Sequence, residues 1–191
     1  MPASDLIASD LLSELQCHGV RWLDGDAGLS RKGGAGPSDH KALSLGKHTA
    51  MVPMLNQASL DSPYSARPSG ELALIFRDGL QVGEVKIPGV PNFYSRSTAD
   101  GIPYWKIATL HSRDVLATTV LQHCIRMNEA ASACQFCAIG QSLANGKTIA
   151  RKRPAQLAEV AKAAVELDGV KHMVMTTGTP QTSDRGAAIL C

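Results

Sequence analysis

From Ser4 to Gln16 the apolar residues Ile7, Leu11 and Leu15 recur every four positions. Asp5, Ser9, Ser13 and Glu14 fall elsewhere on the wheel, so the spacing predicts a short amphipathic helix that stops at Gly19. Val20 to Leu23 reads as a short strand, and Cys17 as a buried structural thiol. Asp24 to Lys41 is rich in Gly, Ser and Asp and reads as loop. Its Gly33–Asp39 run (GGAGPSD) is a candidate backbone cradle for an anion, although it carries neither the P-loop nor the dinucleotide fingerprint. His40 and His48 lack partners at ligand spacing and read as ordinary histidines. Met51 to Leu55 reads as a short buried element, and Asp61 to Gly70, with Pro63 and Pro68, as turn. Glu71 to Phe76 and Leu80 to Ile87 flank Asp78-Gly79, a strong hairpin signal. Pro88 to Pro91 breaks the pattern, and a polar turn over Thr98 to Pro103 precedes Tyr104 to Ala108.

The pattern changes at Leu116. Leu116 to Gln122 is apolar and β-branched without clean alternation, as expected of a strand covered on both faces. Pro154 opens a helix at a position where its missing N–H costs nothing. Leu157, Val160, Ala161, Ala164 and Leu167 line one face of that helix, and Asp168-Gly169 ends it. Val170 to Thr176 reads as a second buried strand ending in Thr177-Gly178-Thr179. The expectation is an α/β protein: a mixed α/β extension over 1–115, then a βαβ unit over 116–191 with loop chemistry at the strand ends, where α/β proteins place their sites. Residues 187–191 read as the start of a further helix. Two parallel strands and a helix and a half do not close a barrel, so the expectation is an N-terminal fragment of a longer protein, with its activity in doubt.

Composition narrows the classes. With 191 residues, 44% hydrophobic and 19% charged, the chain can bury a core and is unlike a disordered one. A formal net charge of +2 does not argue for nucleic acid, and the basic run Lys147–Arg153 (KTIARKR) reads as a solvated face. No apolar run approaches the ~20 residues needed to span a bilayer. The N-terminus lacks the basic start and apolar stretch of a signal peptide. The expectation is a cytoplasmic protein with reduced thiols and with neither membrane nor nucleic-acid partners.

Three of the five cysteines, Cys124, Cys134 and Cys137, fall in the loop after the Leu116–Gln122 strand, a crowding that fits thiolate ligands better than disulfides. Cys134-Gln-Phe-Cys137 alone is compatible with zinc, redox and iron–sulfur chemistry. A closed zinc site wants four ligands, and His123 or His172 is the available fourth, at no recognised zinc spacing. Three thiolates fit a [4Fe–4S] cluster with one iron left open to substrate or cofactor. Plain packing of the three thiols is the remaining reading. Thr176–Thr179 also reads as an ordinary strand-to-helix turn, and Phe136 as core.

Three cysteines after a first strand, an aromatic before the last of them, and a Gly/Thr-rich end to the second strand resemble radical S-adenosylmethionine (SAM) enzymes. The stretch from Leu116 to Arg185, including CQFCAIGQSLANGKTIARKRPAQ and HMVMTTGT, is similar to the branch encoded beside bacterial nitrilases, distantly related to biotin synthase. The resemblance implies a partial (β/α) radical-SAM barrel. It implies that Cys124, Cys134 and Cys137 ligate a [4Fe–4S] cluster whose fourth iron SAM chelates. It further implies that Phe136 lies by the adenine and that Thr176, Thr177 and Gly178 hold the methionine amino group. The implied activity is reductive cleavage of SAM to a 5′-deoxyadenosyl radical that acts on a small-molecule substrate, with an electron donor such as flavodoxin or ferredoxin. The common superfamily motif, CxxxCxxC, would place its first cysteine at 130, where Ala130 stands; the gap here is nine residues. Doubling a loop costs only about 0.6 kcal/mol of closure entropy, so the long gap does not exclude the cluster. A non-catalytic zinc- or cluster-binding module is the alternative.

Overall fold

The computed structural model describes residues 3–24, 40–54, 57–111, 113–127, 129, 131–134 and 137–191. It is a mixed α/β protein whose described residues form two compact units, 3–24 with 40–89 and 90–191. Residues 90–115, grouped by sequence with the N-terminal extension, belong to the second unit.

The first unit comprises α1 (Ala3–His18), β1 (Arg21–Trp22), β2 (His40–Leu45), β3 (His48–Pro53), α2 (Gln57–Leu60), β4 (Tyr64–Ser69), β5 (Leu72–Arg77) and β6 (Leu80–Lys86). The strands form one six-stranded sheet in the order β1-β4-β5-β6-β2-β3. The Asp-Gly turn joins β5 to β6 as expected, with φ of 49° at Asp78 and 85° at Gly79, the double positive pair of a tight hairpin turn. The Val20 N–H donates to the Pro53 carbonyl at the end of β3 (2.9 Å), so the two edges of the sheet approach at that corner and the sheet curls.

Helix α1 lies against β2 and β3. Leu12 and Leu15 are buried and Leu11 is half-buried, a face rotated slightly from the expected one. Leu11 comes so close to the sheet that a Cβ on Gly83 would stand 2.9 Å from its Cδ2. Cys17 is exposed, contrary to the buried thiol expected, because the helix turns that position away from the sheet. Strand β4 occupies the segment read as turn. Its Pro68 is tolerated because β1 pairs with β4 only at Ser65 and Ala66, leaving that stretch an edge.

The second unit comprises a 3₁₀ turn (Asn92–Ser95), α3 (Tyr104–Ile107), β7 (Thr109–His111), β8 (Val115–Thr119), α4 (Ile139–Ala144), α5 (Pro154–Asp168), β9 (His172–Thr176) and α6 (Ala187–Leu190). Strands β7 and β8 are antiparallel, and β8 and β9 are parallel, with α5 as the crossover. The expected βαβ unit is therefore present. Pro154 is the first residue of α5, and Gly169 ends it in the left-handed conformation at φ 66°. Phe93, Ile107, Leu116, Val160, Ala163, Ala164 and Val170 form the core. The Asp168 carboxylate accepts the N–H groups of Asn92 (2.8 Å) and Phe93 (2.9 Å), tying the 3₁₀ turn to the end of α5. At the other end of the helix Gln156 Nε2 and the Arg153 guanidinium both bind Asp100, holding the 98–101 turn.

Strand β9 departs from expectation. All five of its residues are exposed, Met173 at 37%, Val174 at 50% and Met175 at 43%. Among the described residues β9 pairs with β8 alone, so its outer edge and both faces meet solvent. Its apolar composition is that of a buried strand, yet none of its five residues is buried.

Candidate functional site

The cysteine loop begins where β8 ends, and backbone bonds hold its root on both sides. On one side the Val120 N–H donates to the Thr176 carbonyl (2.8 Å), the Gly178 N–H to the Leu121 carbonyl (2.8 Å), and the Ile125 N–H to the Thr179 carbonyl (2.9 Å). On the other side the Lys152 N–H donates to the Val120 carbonyl (2.9 Å) and the Gln122 N–H to the Ala150 carbonyl (2.8 Å), with Leu121 bridged antiparallel to Arg151. Residues 120–122 are thus the middle rung of a three-stranded patch between 150–152 and 176–179. Gly178 is required there by space. A Cβ on it would lie 2.1 Å from the His123 carbonyl oxygen and 3.0 Å from that of Leu121, both rigid backbone.

Cys124 emerges half-buried from this patch, its carbonyl accepting the Met127 N–H (3.1 Å). Burial pushes its thiol up. The backbone N–H groups of Arg126 and Thr179, the Thr179 hydroxyl and the Arg126 charge together outweigh burial and hold the thiol below its ordinary range. That favours the thiolate, the form that binds metals and acts as nucleophile. The donors arrive from two directions, one from its own turn and one from the turn after β9.

Cys134 and Cys137 are exposed, and the Cys137 N–H closes the CxxC turn on the Cys134 carbonyl (3.2 Å). Helix α4 follows directly, anchored by buried Ile139 and Ser142. Among the described residues no three His, Cys, Asp or Glu side chains are gathered as a metal site would need, so Cys124 does not share a ligand set with Cys134 and Cys137 in this arrangement. His123 and His172, considered as fourth zinc ligands, are exposed. Phe136 and the Gly33–Asp39 cradle lie outside the described residues.

The second-strand residues implied to hold a methionine amino group do come to the cysteine loop. Thr176 Oγ1 pairs with Thr119 Oγ1 (2.9 Å), Thr177 Oγ1 donates to the Gly178 carbonyl (2.9 Å), and Gly178 is buried against His123. The Thr176 carbonyl and the Gly178 N–H are engaged in clamping the loop root.

Sequence reading missed the most unusual side chain of this region. Lys152, expected on a solvated face, is only 3% exposed. Its Nζ donates to the Thr119 carbonyl (2.5 Å) and to Thr148 Oγ1 (2.9 Å). Burial lowers its pKa to about 7. Thr148 Oγ1 donates in turn to the Lys106 carbonyl (3.2 Å) and receives Gln122 Nε2 at 3.4 Å. Gln122 is fully buried, and its Oε1 has no partner among the described residues. In the sequence only the position of Lys152, two residues ahead of Pro154 and so against the incoming helix, hinted at burial.

No family model, no curated protein and no solved structure matches this chain. No helix among the described residues is long and apolar enough to cross a membrane.

Proposed function

We propose that this chain is a radical-SAM protein in which Cys124, Cys134 and Cys137 hold a [4Fe–4S] cluster at the end of β8. The observation that supports this reading is the clamp between the root of the cysteine loop and the Thr176–Thr179 turn. The sequence resemblance assigns these two segments to one cofactor site, and they meet at the same end of a parallel β8–α5–β9 unit. Strand ends of this kind are where α/β proteins bind ligands. The donor chemistry fits as well: the groups around Cys124 favour its thiolate, the better metal-binding form, and the two CxxC thiols are exposed.

Within this reading Cys124 is the fixed ligand, because its turn is tied to Thr179. The CxxC turn is the moving part, since a common ligand set requires Cys134 and Cys137 to approach Cys124. When bound, the cluster supplies the electron that cleaves SAM to methionine and a 5′-deoxyadenosyl radical. The adenine contact of Phe136 and the electron donor, a flavodoxin or ferredoxin, complete the proposal.

Anaerobic reconstitution with iron and sulfide, read by visible absorbance and by the EPR response to SAM, tests it. The expected result is a [4Fe–4S] cluster whose spectrum shifts on SAM addition, and loss of the cluster in Cys124→Ala. Stoichiometric zinc with no cluster would instead favour a structural metal module. A full cluster in Cys124→Ala would remove Cys124 from the ligand set.

A further inference from the structure

We propose that Lys152 is a proton-controlled latch: as a neutral amine it fastens residues 148–152 to the root of the cysteine loop, and protonation loosens that hold. Donor counting is the first argument. A neutral amine has two N–H groups, and Lys152 Nζ makes two hydrogen bonds, to the Thr119 carbonyl and to Thr148 Oγ1. An ammonium would carry a third N–H with no partner in this arrangement, since the spare acceptor of the region, Gln122 Oε1, makes no hydrogen bond to it, inside a site from which water is almost excluded.

The surroundings give the second argument. The charged side chains on its own segment are Arg151 and Arg153, both cationic. On α3 the Lys106 ammonium lies over the Trp105 ring, 5.3 Å from its centroid. Among the carboxylates of the neighbouring elements, Asp100 is committed to Thr98, Arg153 and Gln156, Glu159 to the Ala99 N–H, Glu166 to Lys162, and Asp168 to Asn92 and Phe93. Asp114 stands just before the start of β8, at the far end of that strand from Thr119. Strand β9 offers His172 and the hydroxyl of Thr176. No carboxylate among the described residues bonds Lys152, and burial is the cause that brings its pKa to about 7. The N-terminus of α5 begins two residues later and also disfavours a nearby cation.

The latch has a definite reach. Lys152 closes its segment on Val120 through its backbone N–H and on Thr119 through its side chain. Loosening it frees the 150–152 side of the patch from which Cys124 emerges, while the 176–179 side stays bonded.

The test is equilibrium unfolding of the full chain in urea from pH 6.5 to 9, for wild type and Lys152→Met, with hydrogen-exchange mass spectrometry at each pH. Relative to the variant, the wild-type folding constant is expected to rise about tenfold per pH unit above about 7, as one proton fewer is bound in the folded state. After correction for intrinsic rates, the wild-type gain in protection is expected in residues 119–122 and 148–152. Parallel unfolding curves, or a pH effect spread evenly over the chain, would overturn the proposal. If Lys152→Met does not fold, a lysine Cε signal titrating near neutrality in labelled wild type supports it. Every lysine titrating in the ordinary lysine range overturns it.

Discussion

Gly178→Ala isolates the clamp between the two loops. The added methyl would sit 2.1 Å from the His123 carbonyl oxygen, 2.7 Å from its carbonyl carbon and 3.0 Å from the Leu121 oxygen. All three are backbone atoms, so no rotamer change relieves the clash, and the 177–179 turn must separate from 121–123. Overpacking of this kind costs about 1–3 kcal/mol. The separation also breaks the Gly178 N–H bond to Leu121 and strains the Ile125 N–H bond to Thr179, each worth about 0.5–1.5 kcal/mol. The expected loss is therefore about 2–5 kcal/mol in urea unfolding, with the exchange of the Gly178 and Ile125 amides accelerated first. In reconstitution the variant is expected to assemble less cluster, because Cys124 loses the donors that arrive with Thr179. A loss below about 0.5 kcal/mol with unchanged amide exchange would refute the packing on which the site is built.

Three further outcomes follow from the same geometry. Lys152 has a folded-state pKa of about 7 against an unfolded value near 10.4, a depression, so the folded state binds fewer protons between those limits. The Lys152 contribution to stability is then least favourable below pH 7, rises between about 7 and 10.4, and gains at most about 4–5 kcal/mol, a rise that Lys152→Met lacks. Asp168→Ala removes the acceptor of the Asn92 and Phe93 N–H groups and is expected to cost about 1 kcal/mol, as loss of a helix cap does, measured by urea midpoint at constant slope. Ile75→Ala opens a cavity in the fully buried core of the first unit and is expected to cost about 2–5 kcal/mol by the same assay.

Local signals were legible where the chemistry is local. The Asp78-Gly79 turn, the proline start and glycine stop of α5, and the β8–α5–β9 order all rest on backbone preferences that a few neighbouring residues decide. Burial was less legible, because it depends on what lies alongside. Met173, Val174 and Met175 have the residue types of an inner strand but stand at an edge, and Lys152 carries the charge of a surface residue but lies under the loop. The β2–β3 hairpin was missed because His40, Lys41, Ser44 and His48 dilute its alternation, and because its turn, Gly46-Lys47, is not a strong hairpin pair. At the candidate site the cysteines are obvious from spacing. The glycine that locks their loop was read as a ligand-binding residue, and only the three-dimensional contact with His123 reveals the steric reason for it.

The bare flank of β9 also bears on how this protein behaves in solution. An edge strand that pairs on one side only among the described residues, with an uninterrupted Met-Val-Met run and no proline, is a template for stray strand pairing. Natural edges are commonly guarded by a charge or a bulge, and β9 has neither at its centre; Lys171 and His172 stand only at its start. Self-association that grows with protein concentration would therefore begin at the strand that carries Thr176, within reach of the Cys124 turn. Colloidal stability and access to the thiols would then change together, through the same few residues.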